Sequence, residues 1–305
     1  MRNLLSFDVE EAFNSSNCDE TIPRNRWDEC SWRVEANTDR ILALLSTHQV
    51  RATFFVLGWV AERHPNLVRR IDMEGHEIGA HTYWHRLLYD TTPDELREDL
   101  RLNVHAISSV TGKPVLGFRA PSYSLTTRSL WALDILREEG FDYDSSVYPV
   151  GFHPRYGLPD APKEPFEHRN GLLEFPLPVR TVFGQTIPVA TGAYFRIFPY
   201  SFTRSSIHRA NRSKIPVTVN IHPWELDPEQ PRIPMPRKYR WRHHWNLART
   251  EPRLARLLEE FEFGPLGDTA KEMRACRQTG QRSTPPDHSR RPYGGESPPT
   301  MPRLP

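Results

Sequence analysis

An apolar run at residues 51–57 constrains the fold more than any other stretch of the sequence. It reads Arg-Ala-Thr-Phe-Phe-Val-Leu, which is typical of a strand that is buried on both faces of a parallel sheet. Amphipathic helices are predicted on either side of it, at residues 34–47 and 65–74. Strands that alternate with helices favour a parallel sheet, either open or closed into a barrel.

The same alternation continues along the chain. A helix over residues 93–110 is predicted to begin at the N-cap Thr92, with Glu95 in its first turn. Residues 150–215 depart from the pattern because they are rich in proline, glycine and aromatic residues, and we expect them to cross the mouth of the sheet. The other predicted strands are 4–7, 75–79, 115–118, 172–175, 186–189 and 216–221, and the other helices are 126–138 and 251–261.

The chain has 305 residues, which suffices for one large α/β domain with appendages. Hydrophobicity falls after about residue 268, and residues 279–305 are rich in proline, serine, glycine and arginine. Such composition cannot build a core. We therefore predict a domain over residues 1–267, which includes a C-terminal extension at 223–267, and a disordered tail over 268–305.

Charge and hydropathy exclude several classes of protein. The net charge of +2 gives no argument for a nucleic-acid partner, and no run of 18 apolar residues predicts a membrane span. The apolar start of the chain meets an acidic residue at Asp8, which is unlike a secretory signal. We expect a cytoplasmic protein with no stable membrane insertion, and the oligomeric state is left open.

Two histidines follow the predicted strand at 75–79. His81 and His85 are four residues apart, so they face the same way on a helical turn or in a tight loop. Two such imidazoles can hold a divalent metal, although histidines at this spacing also occur without one. Their place after a strand favours the metal, because functional side chains of α/β folds collect at strand ends.

Polar side chains follow the other predicted strands as well. The carboxyl ends of parallel strands meet at one face of the sheet, so these residues predict a single site. They are Asp8 and Glu10 after the first strand, Arg119 and Tyr123 after residues 115–118, Asp144 near the next strand signal, and His222, Trp224 and Glu225 after residues 216–221.

Together these motifs resemble the polysaccharide deacetylases with a NodB homology domain, carbohydrate esterase family 4. The resemblance implies a distorted (β/α) barrel of about seven strands and hydrolysis of an N-acetyl or O-acetyl group on a sugar. Its C-terminal part, at 245–247 and 262–265, looks like the branch found in exopolysaccharide and exosortase-linked gene clusters. The main motifs lie at residues 7–10, 52–58, 75–85, 118–123, 143–146 and 221–225.

The resemblance also implies one divalent metal, for which we expect zinc. His81 and His85 match the histidine ligands of the family. Many members carry two adjacent aspartates, the first a general base and the second a ligand, but Val9 occupies the second position here. The expected carboxylate ligand is therefore Glu10, with Glu11 as the alternative.

The remaining roles follow from the same resemblance. Asp8 is the expected general base, paired with Arg119. His222 is the expected general acid, a task that suits an imidazole, and Asp144 is expected to hold and charge that imidazole unless it is a turn residue. The oxyanion of the reaction is expected near the backbone of Tyr123. The alternative is that Tyr123 only packs in the core.

Several residues are candidates for contact with the substrate. Trp84 and Trp224 either flank a sugar ring or pack in the core. Tyr194 and Arg196 either line the cleft or form a turn. A basic cluster is either a solvated face or a contact for an anionic polymer or a lipid-linked diphosphate sugar; it comprises Arg237, Lys238, Arg240, Arg242, His243 and His244.

The leading hypothesis is a metal-dependent deacetylase that acts on N-acetylated sugars of an exopolysaccharide or of its lipid-linked precursor. The expected partner is therefore an acetylated saccharide, polymeric or lipid-linked. One alternative is a non-sugar amidase of the allantoinase-like type. Another is a sugar-binding protein without catalysis, which the departure at Val9 and Glu10 suggests. The sequence leaves open the polymer, its linkage, and whether an amide or an ester is cut.

Overall fold

Nine strands form the main sheet of the computed structural model, which describes residues 1–151 and 153–278. They are β1 (Asn3–Val9), β2 (Thr53–Val56), β3 (Glu77–Ala80), β4 (Gly117–Phe118), β5 (Tyr143–Asp144), β6 (Phe166–Glu167), β7 (Leu173–Glu174), β10 (Thr218–Ile221) and β11 (Phe263–Gly264). The other two strands, β8 (Val179–Val182) and β9 (Gln185–Pro188), pair as a separate antiparallel hairpin.

The order of the main sheet is β10-β1-β2-β3-β4-β5-β7-β6, and β11 also pairs with β1. Every pairing is parallel except the one between β6 and β7. Seven parallel strands therefore succeed one another along the sheet, which curls into a half-barrel. The α/β fold predicted from the sequence is confirmed.

Ten α-helices accompany the sheet in the described residues. The predicted start of α4 is confirmed: Thr92 Oγ1 accepts the Glu95 N–H at 3.3 Å, and Glu95 Oε2 accepts the Thr92 N–H at 2.8 Å. No helix in the described ranges combines the length and apolarity needed to cross a bilayer. The helices are α1 (Val34–His48), α2 (Gly58–Arg63), α3 (Pro65–Met73), α4 (Pro93–Thr111), α5 (Ala132–Glu138), α6 (Gly192–Ile197), α7 (Tyr200–Arg212), α8 (Arg237–His244), α9 (Thr250–Glu260) and α10 (Leu266–Gln278).

Residues 150–215 contain a helix that the sequence did not predict. Helix α7 buries Thr203, Ser206 and Ile207, so two of its three buried side chains are polar. A search for apolar residues at helical spacing finds little signal in such a segment.

Helix α10 corrects the predicted boundary of the tail. Leu266 is fully buried and Ala270 nearly so, in a small cluster with Phe55 and Tyr143. One apolar face at a spacing of four residues is enough to dock a helix of otherwise polar composition. The predicted disorder is therefore wrong for residues 268–278, and its remainder, 279–305, lies outside the described residues.

Candidate active site

Strand β1 places two polar side chains on one face of the sheet. Ser6 and Asp8 are two residues apart, and side chains at that spacing share a face. Glu10 follows the end of the strand with the same spacing. The neighbouring strand β10 pairs Asn220 with Ser6, which brings a second polar side chain to the same face.

Asp8 is buried and held by two donors. Its Oδ1 accepts a hydrogen bond from Arg119 Nη1 at 2.9 Å, and its Oδ2 accepts one from Asn220 Nδ2 at 2.7 Å. Burial alone would raise the pKa of Asp8, but the positive charges of Arg119 and His222 lower it below its usual value. The carboxylate therefore stays ionised, as a base must.

Arg119 is held from several sides. It is fully buried, and its guanidinium donates to Ser6 Oγ at 2.7 Å, to Asn220 Oδ1 at 2.6 Å and to the Ser145 carbonyl at 2.9 Å. The predicted pairing of Arg119 with Asp8 is thus present. Asn220 was missed from the sequence, although its spacing of two from His222 along β10 places both on one face.

Glu10, His81 and His85 form a cluster at the floor of the cleft. One potential ligand atom from each lies within 4.8 Å of the others, and Glu10 Oε2 is 2.8 Å from His85 Nε2 and 3.8 Å from His81 Nε2. All three side chains are at most 3% exposed.

This cluster suits a divalent metal. His81 Nδ1 donates to the Arg119 carbonyl at 2.8 Å, so its Nε2 presents a lone pair to the cluster. Burial lowers the pKa of His81 to about 4, which keeps the ring neutral. Glu10 Oε2 is buried with no hydrogen-bond donor, a costly state for a carboxylate. Two imidazoles and one carboxylate are the three-ligand set of a catalytic zinc site.

The two histidines lie in a tight loop, and the helical turn that the sequence also allowed is absent. Thr82 and His85 have φ angles of 59° and 53°, a conformation that such residues adopt only when the surroundings impose it. Asp99 accepts the N–H of Tyr83 at 2.5 Å, and Asn103 donates to the Thr82 carbonyl at 2.8 Å. Helix α4 therefore holds the loop in this shape.

Glu11 points away from the cluster. Its Oε1 accepts the backbone N–H groups of Arg33 and Val34, at 2.6 and 2.8 Å, where α1 begins. Burial raises the pKa of Glu11 to about 7. Of the two carboxylates considered from the sequence, only Glu10 faces the histidines.

His222 completes the constellation. Its Nδ1 lies 2.7 Å from Glu225 Oε1, and its Nε2 lies 3.6 Å from Asp8 Oδ2. Burial by itself lowers the pKa of His222, but the hydrogen bond to Glu225 and the nearby negative charges raise it to about 9. The ring is therefore protonated near neutral pH. Arg196 Nε donates to Glu225 Oε2 at 2.5 Å, which fixes the carboxylate in turn.

The predicted role of Asp144 is wrong. Asp144 lies on β5, four strands beyond β1 along the sheet, and it accepts a hydrogen bond from Ser146 Oγ at 2.5 Å. Burial and the charge of Glu174 raise the pKa of Asp144 well above its usual range. Glu225 holds His222 instead. The sequence signal was present, since Glu225 follows His222 by three residues in the turn after β10.

Arg196 lines the cleft, whereas Trp84 takes the core-packing alternative. Arg196 is fully buried and donates to Glu225 and to the His243 carbonyl, so it also fixes the carboxylate that holds His222. Trp84 packs against Tyr83 and Trp27 and lies outside the lining of the cleft.

The other predicted contact residues line the cleft as well. Trp224 stacks on His222 with ring centroids 5.2 Å apart, and its Nε1 donates to Glu10 Oε1 at 3.2 Å. Tyr123 places its hydroxyl 2.7 Å from Asn220 Nδ2. Tyr194 also lines the cleft.

Two family models match parts of the sequence. Residues 26–143 match the family model "Polysaccharide deacetylase", and residues 145–271 match "Domain of unknown function (DUF3473)". The first match contains His81, His85 and Arg119 but begins after Asp8 and Glu10, whereas the second contains His222.

Two curated relatives match shorter stretches. A peptidoglycan-N-acetylglucosamine deacetylase of Bacillus cereus is 39% identical over 98 residues, which are 32% of this chain and 36% of that protein. A chitooligosaccharide deacetylase of a Bradyrhizobium species is 32% identical over 99 residues, which are 32% of this chain and 43% of that protein. The chain therefore spans less than half the length of these relatives.

One solved structure covers nearly the whole chain. It is a protein from Mycobacterium smegmatis described as a polysaccharide deacetylase, with a TM-score of 0.60, 21% identity and 93% coverage of each chain. At that identity the likeness concerns the fold. Over residues 26–143, therefore, the chain is similar to the polysaccharide deacetylases in sequence.

Proposed function

We propose that the protein is a metal-dependent hydrolase that removes acetyl groups from N-acetylated sugars. The observation that carries the proposal is the convergence of three kinds of group in one cleft: a charged carboxylate, a cluster of potential metal ligands and a protonated imidazole. His222 Nε2 lies 3.6 Å from Asp8 Oδ2 and 3.8 Å from Glu10 Oε1, so base, cluster and acid can all reach a single acetyl group.

Glu10, His81 and His85 would hold the metal, for which zinc is expected from this donor set. A metal bound there supplies polarisation of the acetyl carbonyl and a lowered pKa for a water molecule. Trp224 and the Arg119 carbonyl, which bond to Glu10 and His81, keep the ligand atoms in place.

Asp8 and His222 divide the proton transfers between them. Asp8 accepts a proton at Oδ2 from the attacking water, while Arg119 and Asn220 keep the carboxylate ionised and oriented. His222 donates its Nε2 proton to the leaving sugar amine. Glu225, bonded at Nδ1, fixes the ring and stabilises its charged form. Tyr123, bonded to Asn220, marks the wall where the oxyanion would form.

The substrate class is proposed from two sources. The curated relatives are named as deacetylases of peptidoglycan N-acetylglucosamine and of chitooligosaccharide. The C-terminal motifs at 245–247 and 262–265 resemble the exopolysaccharide branch of the family. We therefore propose an exopolysaccharide or its lipid-linked precursor as the natural substrate. We further propose that the protein acts on it in the cytoplasm.

Acetate release and metal content test the proposal together. The purified protein, loaded with zinc, is given chitotetraose, and released acetate and bound metal are measured. The double variant His81→Ala, His85→Ala should lose both. His105→Ala is the matched control, because His105 is exposed on α4, and it should keep both.

The same samples separate the alternatives. Ring opening of allantoin without acetate release from any acetylated sugar would replace the proposal with an amidase. Binding of chitotetraose with neither metal nor acetate release would replace it with a sugar-binding protein.

A further inference from the structure

Two arginines that the catalytic roles do not use line the active-site cleft. Arg155 and Arg242 both line the cleft that contains Asp8 and His222. In the described residues, neither guanidinium lies within 4.0 Å of a carboxylate oxygen. Cations that are partly withdrawn from water are normally paired with an anion.

Aromatic rings position both guanidinium groups. The Arg242 guanidinium carbon lies 4.5 Å from the centre of the Tyr194 ring, and that of Arg155 lies 4.5 Å from the centre of the Tyr239 ring. Arg155 Nη1 also donates to Asn17 Oδ1 at 2.7 Å. Stacking of this kind orders an arginine without neutralising its charge.

A third side chain, His153, lies beside the two arginines. Burial, together with the charges of Arg242 and Arg155, lowers its pKa to about 4, so the ring is neutral. Its Nδ1 lies 3.3 Å from the backbone N of Arg155, and its Nε2 lies 3.5 Å from Arg242 Nη1. A neutral imidazole has one acceptor nitrogen, so one of these two donors is left without an acceptor.

The elements that carry Arg242 and its partner Tyr194 also contact the proposed reaction centre. His243, next to Arg242 on α8, stacks on Trp224 with centroids 4.4 Å apart, and Trp224 stacks on His222. On the other side, Gly192 begins the helix that carries Tyr194, and a Cβ atom at Gly192 would lie 3.6 Å from His222. Helix α8, which carries Arg242, is thus connected to the proposed acid through two ring stacks.

We propose that Arg242, Arg155 and His153 form a subsite for an anionic group of the substrate, carried by a sugar near the one that is deacetylated. The inference rests on the proposed deacetylase function and specifies its substrate class: acidic saccharides rather than neutral chitin-like ones. A uronate carboxylate and a sugar phosphate offer the same oxygen acceptors to an arginine, so both sources enter the test.

The subsite also divides the basic cluster defined by sequence. Arg242 is half-buried in the cleft, and His243 is buried against Trp224. Arg237 and Arg240 are exposed, and Arg240 donates to the Met235 carbonyl at 3.3 Å. Of these four, only Arg242 presents its charge to the substrate.

Binding measurements with matched probes test the subsite. The zinc-loaded protein is titrated calorimetrically with a hyaluronan tetrasaccharide, which carries glucuronate carboxylates, and with chitotetraose, which is neutral. UDP-N-acetylglucosamine serves as the phosphate probe. The wild type should bind one of the anionic probes more tightly than chitotetraose.

The readout is the ratio of anionic to neutral affinity. Because a hydrogen bond to a charged group contributes about 1.5–3 kcal/mol, Arg242→Gln and Arg155→Gln should each lower the ratio about tenfold or more. Arg240→Gln should leave it at the wild-type value. A loss confined to the tetrasaccharide identifies a uronate, and one confined to UDP-N-acetylglucosamine identifies a phosphate.

An unchanged ratio in both arginine variants would overturn the subsite, as would equal wild-type affinity for all probes. The result is independent of turnover. A protein that deacetylates chitotetraose with an unchanged ratio keeps the proposed function and loses the subsite. A protein that shows the expected ratio but releases no acetate keeps the subsite and loses the proposed function.

Discussion

Three carboxylates within four residues have three different environments in this protein. Asp8 is ionised because Arg119 and Asn220 bond to both of its oxygens. Glu10 leaves one buried oxygen without a donor beside His85. Glu11 accepts backbone N–H groups at the start of α1, and burial raises its pKa to about 7. The side-chain alternation of an extended chain separates the last two, although they are adjacent in sequence.

Asn220 offers a residue-scale test of how Asp8 is kept ionised. Asn220→Asp removes the donor to Asp8 Oδ2 and places a second carboxylate beside the first. Like charges at this distance raise the pKa of the pair, so the acid limb of the kcat/KM profile should move to higher pH. At neutral pH, kcat should fall about tenfold or more, which lies within the range for an impaired general base.

The bound zinc of Asn220→Asp should stay at the wild-type stoichiometry, because Asn220 does not touch the ligand cluster. A pH profile that superimposes on the wild-type profile would show that Asn220 does not control the charge of Asp8.

At the scale of the elements, the sheet carries a second buried pair of acids away from the cleft. Asp144 on β5 and Glu174 on β7 lie on adjacent strands, in a parallel pairing that aligns them directly. Glu174 Oε1 accepts the Val147 N–H at 3.1 Å, and its Oε2 lies 3.2 Å from His168 Nε2. Burial raises the pKa of Glu174 to about 7. The two acids therefore belong to the interior of the sheet and not to the cleft.

The pair predicts a specific pH dependence of stability. The pKa of Glu174 is about 7 in the folded state, against the usual 4.5. Between these two pH values the folded protein keeps the proton of Glu174, whereas the unfolded chain has released it. The folded state therefore binds more protons, and this group lowers the free energy of unfolding as pH rises through that window. Glu174→Gln removes the effect, so its stability relative to wild type should rise by on the order of 1–3 kcal/mol from about pH 5 to about pH 8.

Urea denaturation at the two pH values measures this difference. Glu98→Gln is the control, since Glu98 is exposed on α4, and its stability relative to wild type should be the same at both. A constant difference for Glu174→Gln would mean that Glu174 is already ionised in the folded state.

At the scale of the whole molecule, the sequence predicts the parts that depend on local patterns. The buried strand β2, the capped helix α4 and the strand-end residues Asp8, His81 and His222 all carry such signals. Asn220 bonds to Asp8 from the neighbouring strand β10, and sequence spacing does not report which strands become neighbours. Glu225, the partner of His222, follows it by three residues and so carries a local signal, whereas the family resemblance points to Asp144 on β5, across the sheet.

The docking of α10 tests how far the fold extends along the chain. Leu266 is fully buried in a cluster with Leu4 and Phe55. Leu266→Ala should lower the free energy of unfolding by about 2–5 kcal/mol, the usual cost of such a cavity. Lys271→Ala, at an exposed position of the same helix, should change it by less than about 0.5 kcal/mol. Equal, small effects in urea denaturation would place α10 outside the folding unit.

In the proposed mechanism Asp8 is the base and Glu10 the metal-binding carboxylate, and Asp8→Asn distinguishes these two roles. Acetate release from chitotetraose and bound zinc are measured on the same zinc-loaded samples of wild type and variant. Asp8→Asn should keep the wild-type zinc content while its kcat falls by about 10²–10⁴, the contribution of a general base. Zinc lost together with activity would make Asp8 a ligand, and acetate release at the wild-type rate would remove it from the mechanism.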